Sequence, residues 1–233
     1  NVEFDDTNLF SENRFPGLDR WETGGRANVG MRYSIYGAGG GQASVLLGQS
    51  YRLKDNTSFS DATGLRDQLS DYVGAIQVAP NDNLVAVHRF RINENNFKFS
   101  RNEFDVLART GPLTTSLGYA YFAADQAVTT ATGAREELSV GATLKLSRYW
   151  RLFGSTVQDL ANSGSISNQI GVGYQDDCFG LALGFYQSNI SYQDIQRSNT
   201  FLLQITFKNL GSTGVGSQSH LSTRTDSMGI VNP

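Results

Sequence analysis

From Glu137 to Leu146, apolar and polar residues alternate without a break. Leu138, Val140, Ala142, Leu144 and Leu146 fall on one face of an extended chain, and Glu137, Ser139, Gly141, Thr143 and Lys145 on the other. Successive side chains of a strand point to opposite faces, so this is the pattern of a strand with one greasy and one wet side. Similar segments of about ten residues recur along the chain, and the gaps between them are alternately short and long. That rhythm points to an all-β, antiparallel transmembrane β-barrel, with tight turns at one rim and long loops at the other.

The expected strands are 27–36, 42–53, 72–79, 84–93, 97–110, 113–123, 135–146, 150–158, 168–175, 178–186 and 199–208. Gly37–Gly41, Pro80–Asn83, Gly111–Pro112, Ser147–Tyr149 and Asp176–Asp177 form the short set of connections, rich in turn formers. Lys54–Asp71, Ala124–Ala134, Asp159–Ser167 and Gln187–Ser198 form the long polar set, with Glu94–Asn96 its one short member. A β-sandwich has no reason to keep that parity. Tyr36, Tyr51, Tyr72, Tyr121, Phe122, Tyr149, Trp150, Phe185 and Tyr186 fall near strand ends, where a barrel carries its aromatic girdles. Aromatic residues also favour strands in general, so the girdle reading leans on the parity of the loops. Eleven strands are an odd count, whereas single-chain bacterial barrels have even ones. A portion of a larger barrel is therefore expected.

A mean hydropathy of −0.32 would suit a soluble protein, but half of every barrel strand faces a polar lumen. No apolar run is long enough for a transmembrane helix. A net charge of −3 argues against nucleic acid as a partner. Asn1 opens directly into Val-Glu-Phe-Asp-Asp, with neither a basic nor an apolar leader region. The expectation is a mature product or a fragment, and we favour a fragment. The single Cys178 has no internal partner, and an odd cysteine in an exported protein hints at one elsewhere.

No enzyme signature is present. His88 and His220 are the only histidines, too few and too distant for a metal site or a triad. Neither a Gly-x-Ser-x-Gly elbow nor a Gly-x-x-x-x-Gly-Lys loop occurs. The glycine-rich run 37–41 joins two strands, which makes it a turn. No catalytic residue, metal or cofactor is expected, although a hydrolase with a serine near His88 on one rim stays open.

Five segments carry a family resemblance. They are Phe4–Arg20, with its Gly17-Leu18-Asp19-Arg20 ending ahead of a strand at Asn28–Tyr36; Leu46–Arg52, with Gly48-Gln49-Ser50-Tyr51-Arg52; Phe90–Asn93 leading through Phe97–Arg101 into Glu103; Ile170–Phe179; and Ile205–Gly211. In this order they resemble the C-terminal part of the lipopolysaccharide-assembly outer-membrane family LptD, also called OstA or organic-solvent-tolerance. The resemblance implies residues 1–210 as the C-terminal half of a very large barrel and 211–233 as a periplasmic tail. It implies the outer membrane of a Gram-negative bacterium, with outer-membrane lipid around the barrel.

The implied function is assembly of lipopolysaccharide into the outer leaflet through a barrel with a lateral gate. The implied partners are lipopolysaccharide, an LptE-like lipoprotein plug, and the periplasmic lipopolysaccharide bridge. That bridge would be reached through an N-terminal jellyroll domain outside this chain. In the family the gate lies between the first and last strands. Thr200, Phe201, Leu202, Leu203, Gln204, Ile205, Thr206, Phe207 and Lys208 would then form one lip. Better-known members carry adjacent cysteines where this chain has Asp177 and Cys178, so the resemblance implies one disulfide from Cys178 to the N-terminal domain; a buried free thiol is the alternative. Arg89 and Arg91 share one strand face, and Arg101 and Arg109 share another. They could meet lipopolysaccharide phosphates or pair with lumen acids such as Glu103 and Asp105, and we favour the pairing. The rival to the whole reading is a self-contained porin-like channel or an outer-membrane barrel enzyme.

Overall fold

The computed structural model describes residues 4–12, 14, 24–54, 59, 63–124, 133–189, 197–207 and 211–215. Among them are twelve strands and no α-helix. The strands are β1 (Arg26–Tyr36), β2 (Gln42–Arg52), β3 (Tyr72–Asn81), β4 (Leu84–Ile92), β5 (Phe99–Thr110), β6 (Leu113–Phe122), β7 (Arg135–Lys145), β8 (Trp150–Asp159), β9 (Gly164–Gln175), β10 (Phe179–Ser188), β11 (Ser198–Phe207) and β12 (Gly211–Val215). They form one sheet in chain order. The chain divides into two compact units: Asn1–Gly141 with Val157–Gly164, and Ala142–Thr156 with Ser165–Pro233.

In the first unit the antiparallel registers put the turns 37–41, 82–83 and 111–112 at one end, and the connections 53–71 and 93–98 at the other. In the second unit, bonds from Leu146 N to Trp150 O and from Gln175 N to Tyr149 O bring 146–149 and 176–178 to one end. Within each unit the expected short turns thus share one end.

Three boundaries differ from expectation. The stretch Asp159–Ser167 is a tight turn, not a long loop: Asp159 Oδ1 accepts the Asn162 amide at 2.9 Å, and Ser163 takes a left-handed φ of 54° before β9 begins at Gly164. Cys178 lies in the turn before β10 and does not open the strand. Most consequentially, β11 is not the last strand, because β12 pairs with Leu203–Phe207 and lies inside the stretch expected to be a tail.

Each unit splits cleanly into two faces. In the first, Val29, Met31, Tyr33, Ile35, Val45, Leu47, Val78 and Leu117 stand exposed on one face. The other face carries Asn28, Arg32, Ser50, Arg52, Arg89, Arg91, Arg101, Glu103 and Asp105 by register. In the second, Trp150, Leu152, Ile170, Leu183, Phe201 and Leu203 are exposed on the apolar face, while Arg151 and Gln204 take the other parity. A charge in mid-bilayer costs roughly 2–4 kcal/mol, which accounts for a sheet face almost free of charge. Glu136 is the exception among the described strand residues, and the Tyr119 hydroxyl donates to it at 2.8 Å. His88 also takes the apolar side, with Nε2 at 2.7 Å from Asn102 Oδ1.

The anticipated alternation in β7 is realised. The Leu146–Trp150 closure sets Leu144 opposite Leu152 and Lys145 opposite Arg151. Aromatic residues cluster at strand ends. Tyr174 lies 5.1 Å from Trp150 and 6.0 Å from Tyr149 between ring centroids, and Tyr72 stacks on Phe97 at 6.0 Å. Tyr36, Phe122 and Tyr186, however, have the parity of the polar face, so the girdle is smaller than expected.

Candidate functional site

The polar face of the first unit is covered at its long-connection end by Phe4–Glu12, Arg14, Phe59 and Thr63–Asp71. Local chemistry shapes the first of these segments. Asp5 Oδ1 accepts from the Thr7 amide at 2.9 Å and the Asn8 amide at 3.2 Å, while Asn8 Oδ1 accepts from the Asp5 amide at 3.0 Å. That reciprocal turn drives Phe4 and Leu9 towards the sheet, where with Phe59, Leu65 and Val73 they form a fully buried cluster.

The sheet is built to receive this cap. Gly30 and Gly48 are cross-strand partners. A Cβ on Gly48 would overlap Leu9 Cδ2, and one on Gly30 would stand 3.1 Å from the same atom. Two residues along β2, Ser50 Oγ accepts from Arg14 Nη2 at 3.0 Å, and Arg14 also reaches Leu9 O at 3.0 Å and Asn28 Oδ1 at 2.5 Å. Arg52 Nη2 donates to the carbonyls of Leu65, Arg66 (2.9 Å) and Asp67 (2.7 Å), and its guanidinium sits 5.1 Å from the Phe59 ring. The Gly48-Gln49-Ser50-Tyr51-Arg52 segment therefore has a mechanical meaning: its polar-face members each hold one part of the cap.

Three of the four candidate arginines lie in this network. Arg91 is fully buried and pairs with buried Asp71 at 3.2 Å, while its Nη1 donates to Phe4 O at 3.2 Å and Thr63 O at 3.3 Å. Arg101 lies 2.9 Å from Glu103 and 3.4 Å from Asp5, with its guanidinium over the Phe122 ring. Arg89 lies 3.8 Å from both Asp6 and Asp105. The geometry is thus one of pairing with acids, some from the strands and some from the cap. Arg109 is apart from them, exposed at the short-turn end, where it donates to Asp82 O at 3.2 Å.

Burial, and next the neighbouring Asp5 carboxylate, push Asp6 above the ordinary carboxylate range. In the turn after β4, burial and a hydrogen bond shared with Asp71 push Glu94 up to about 8, with Asp67 adding to the shift. Cys178 is exposed and free, and its amide donates to Asp176 Oδ1 at 2.9 Å. Thr200–Phe207 lie in β11 and alternate between the two faces, whereas Lys208 lies outside the described residues.

The match that decides the lineage covers residues 1–150, the part that holds the cap and its sockets: it is to the model of LptD, LPS transport system D. The chain belongs to the LptD family. A relative in Aeromonas salmonicida (strain A449), the LPS-assembly protein LptD, is 23% identical over 237 aligned positions. That alignment takes in 97% of this chain but 29% of the relative, so the chain spans less than a third of the relative's length. Arg14, Arg52 and Asp71 were not among the residues expected to matter, although the first two lie within the resembling segments. Membership of a resembling segment was the only visible signal for Arg14 and Arg52, and Asp71 had none, since the partner that buries it is Arg91 on β4.

Proposed function

We propose that this chain is a C-terminal portion of an outer-membrane barrel that carries lipopolysaccharide to the outer leaflet of a Gram-negative bacterium. The observation that carries the reading is the division of each unit into an apolar face with aromatic ends and a polar face with charged side chains. An amphipathic lipid needs both: a wet route for its sugars and contact with hydrocarbon for its acyl chains. A fully paired barrel offers no sideways exit, so one seam must open.

On this reading the short-turn rim is periplasmic and the capped, long-connection rim faces outward. The lip of the seam comprises β12 together with the stretch Thr200–Leu202 of β11, which lies beyond the reach of β12. The partner strand, an LptE-like lipoprotein plug and the periplasmic bridge lie outside this chain. On the same reading Cys178, exposed at that rim, takes a disulfide from the N-terminal domain; its exposure is what supports this. The work done is conduction, with no catalytic step.

The test uses the full-length protein in cells, with a photo-crosslinking residue at Gln204 or at Leu203, neighbours of opposite parity in β11. Adducts with lipopolysaccharide are expected from Gln204 and should disappear when periplasmic supply is stopped. An absence of adducts at either position, together with a steady flux of small solutes, would favour a porin instead.

A further inference from the structure

Resting on the reading above, we propose that Lys145 and Arg151 form an anion site on the polar face of the second unit, which takes a phosphate of a phosphorylated glycolipid at the short-turn rim. The hydrogen bond from Leu146 N to Trp150 O, at 2.9 Å, closes the β7–β8 hairpin and sets Lys145 directly opposite Arg151. Residues paired in this way have Cβ atoms roughly 4.5–5.5 Å apart, and like charges so placed repel. Among the described residues neither side chain has an ion pair or hydrogen-bond partner, and both are exposed. Asp176, on the same rim, is committed elsewhere: it accepts from the Tyr174 hydroxyl at 3.1 Å and from the amides of Cys178 (2.9 Å) and Phe179 (2.7 Å).

The first unit treats its cations differently, since Arg89, Arg91 and Arg101 all face carboxylates. Arg32 also lacks an ion pair among the described residues, but it stands singly, opposite Leu46. Lys145 and Arg151 are a pair, and Arg151 has a prepared bed. A Cβ at Gly173 would stand 2.8 Å from Arg151 Nε and 3.2 Å from its Cγ, so the side chain lies closely over β9 at this glycine.

A phosphomonoester answers this arrangement. It carries a charge of about −1.5 to −2 at neutral pH and three acceptor oxygens. The Arg151 fork can hold two of those oxygens while the Lys145 ammonium supplies a point charge. Trp150 and Tyr149, beside the pair, mark the height of the membrane interface, which is where the phosphate of an amphipathic lipid travels.

The experiment measures binding of two probes to the full-length protein in detergent: lipid A bearing both phosphates, and the same lipid with both removed. Folding of each variant is checked by heat-modifiable migration. Wild type should prefer the phosphorylated probe by roughly tenfold or more. The double variant K145Q/R151Q should bind both probes alike, at the wild-type affinity for the phosphate-free one, while R32Q keeps the full preference. The proposal is overturned if K145Q/R151Q keeps the preference, if R32Q loses as much, or if wild type binds both probes equally. It is also overturned if the double variant loses retention of phosphatidylglycerol in nanodiscs but not of phosphorylated lipid A, because the ligand would then be a bilayer headgroup. Failure of wild type to bind either form would instead sink the transport reading itself.

Discussion

The polar faces of the two units solve the same problem in opposite ways. In the first, the long-connection end of the face is filled: Phe4, Leu9, Phe59, Leu65 and Val73 are buried on it, and Arg52, Arg89, Arg91 and Arg101 are tied to acids and carbonyls, whereas Arg32 stands exposed. In the second, Lys145 and Arg151 are exposed and, among the described residues, unpaired, and the Phe153 and Arg151 side chains lie beside the glycines at 171 and 173. A filled face resists deformation, whereas an open one has groups to spare for something that passes.

The sharpest way to break this contrast is to remove a charge from each side. Arg91→Ala strands Asp71 as a buried carboxylate and should cost about 3–5 kcal/mol. Arg151→Ala should stay within about 0.5 kcal/mol, as exposed sites do. Denaturant unfolding of the full-length protein in detergent measures both, and equal losses would end the distinction. Leu9→Ala comes next. It empties the Gly30–Gly48 socket and should cost about 2–5 kcal/mol, less where the loop can settle into the space. A loss no larger than at Arg151 would mean that the cap is not seated as described.

A smaller effect depends on pH. Burial and the hydrogen bond shared with Asp71 push Glu94 up to about 8 in the fold, from an ordinary value of 4.5. Between those values the folded form binds a proton that the unfolded form does not, so stability should fall as pH rises from about 4.5 to 8 and level off above. Glu94→Gln should flatten that slope while leaving low-pH stability near wild type. Melting curves at pH 5, 7 and 9 would show it, and a slope that survives the substitution would assign it to another group.

The strands were legible in the sequence because period-two alternation is a local signal. Leu138, Val140, Ala142 and Leu144 declare their side without help from the rest of the chain. The faces of β4 were not, since Val85 and Val87 dilute the contrast around His88 and Arg89. Only the register with β3, which sets Arg91 opposite Val73, decides it. The cap was visible as a resemblance but not as a structure, for Arg52 and Arg91 reach backbone carbonyls of other segments and Arg14 reaches the side chains of Asn28 and Ser50 on the sheet. The extra strand β12 escaped because Gly211-Ser212-Thr213-Gly214-Val215 has no apolar alternation at all. The turn at Asp159–Gly164 escaped for the opposite reason: its polar residues look like a loop until the Asp159–Asn162 bonds close it.

The bond from Arg91 to the carbonyl of Phe4 joins residues 87 positions apart. Phe4 and Leu9 precede β1 to β4 in the chain, yet their seat needs those strands already in register. Until then two large apolar side chains have no seat to bury them. Contacts closing loops of this length form late and slowly, so docking of the cap belongs among the last steps of barrel assembly. A chaperone that shields the Phe4–Phe10 stretch would be needed longest there, and a strand-pairing error anywhere in β1–β4 would announce itself as a cap that never closes.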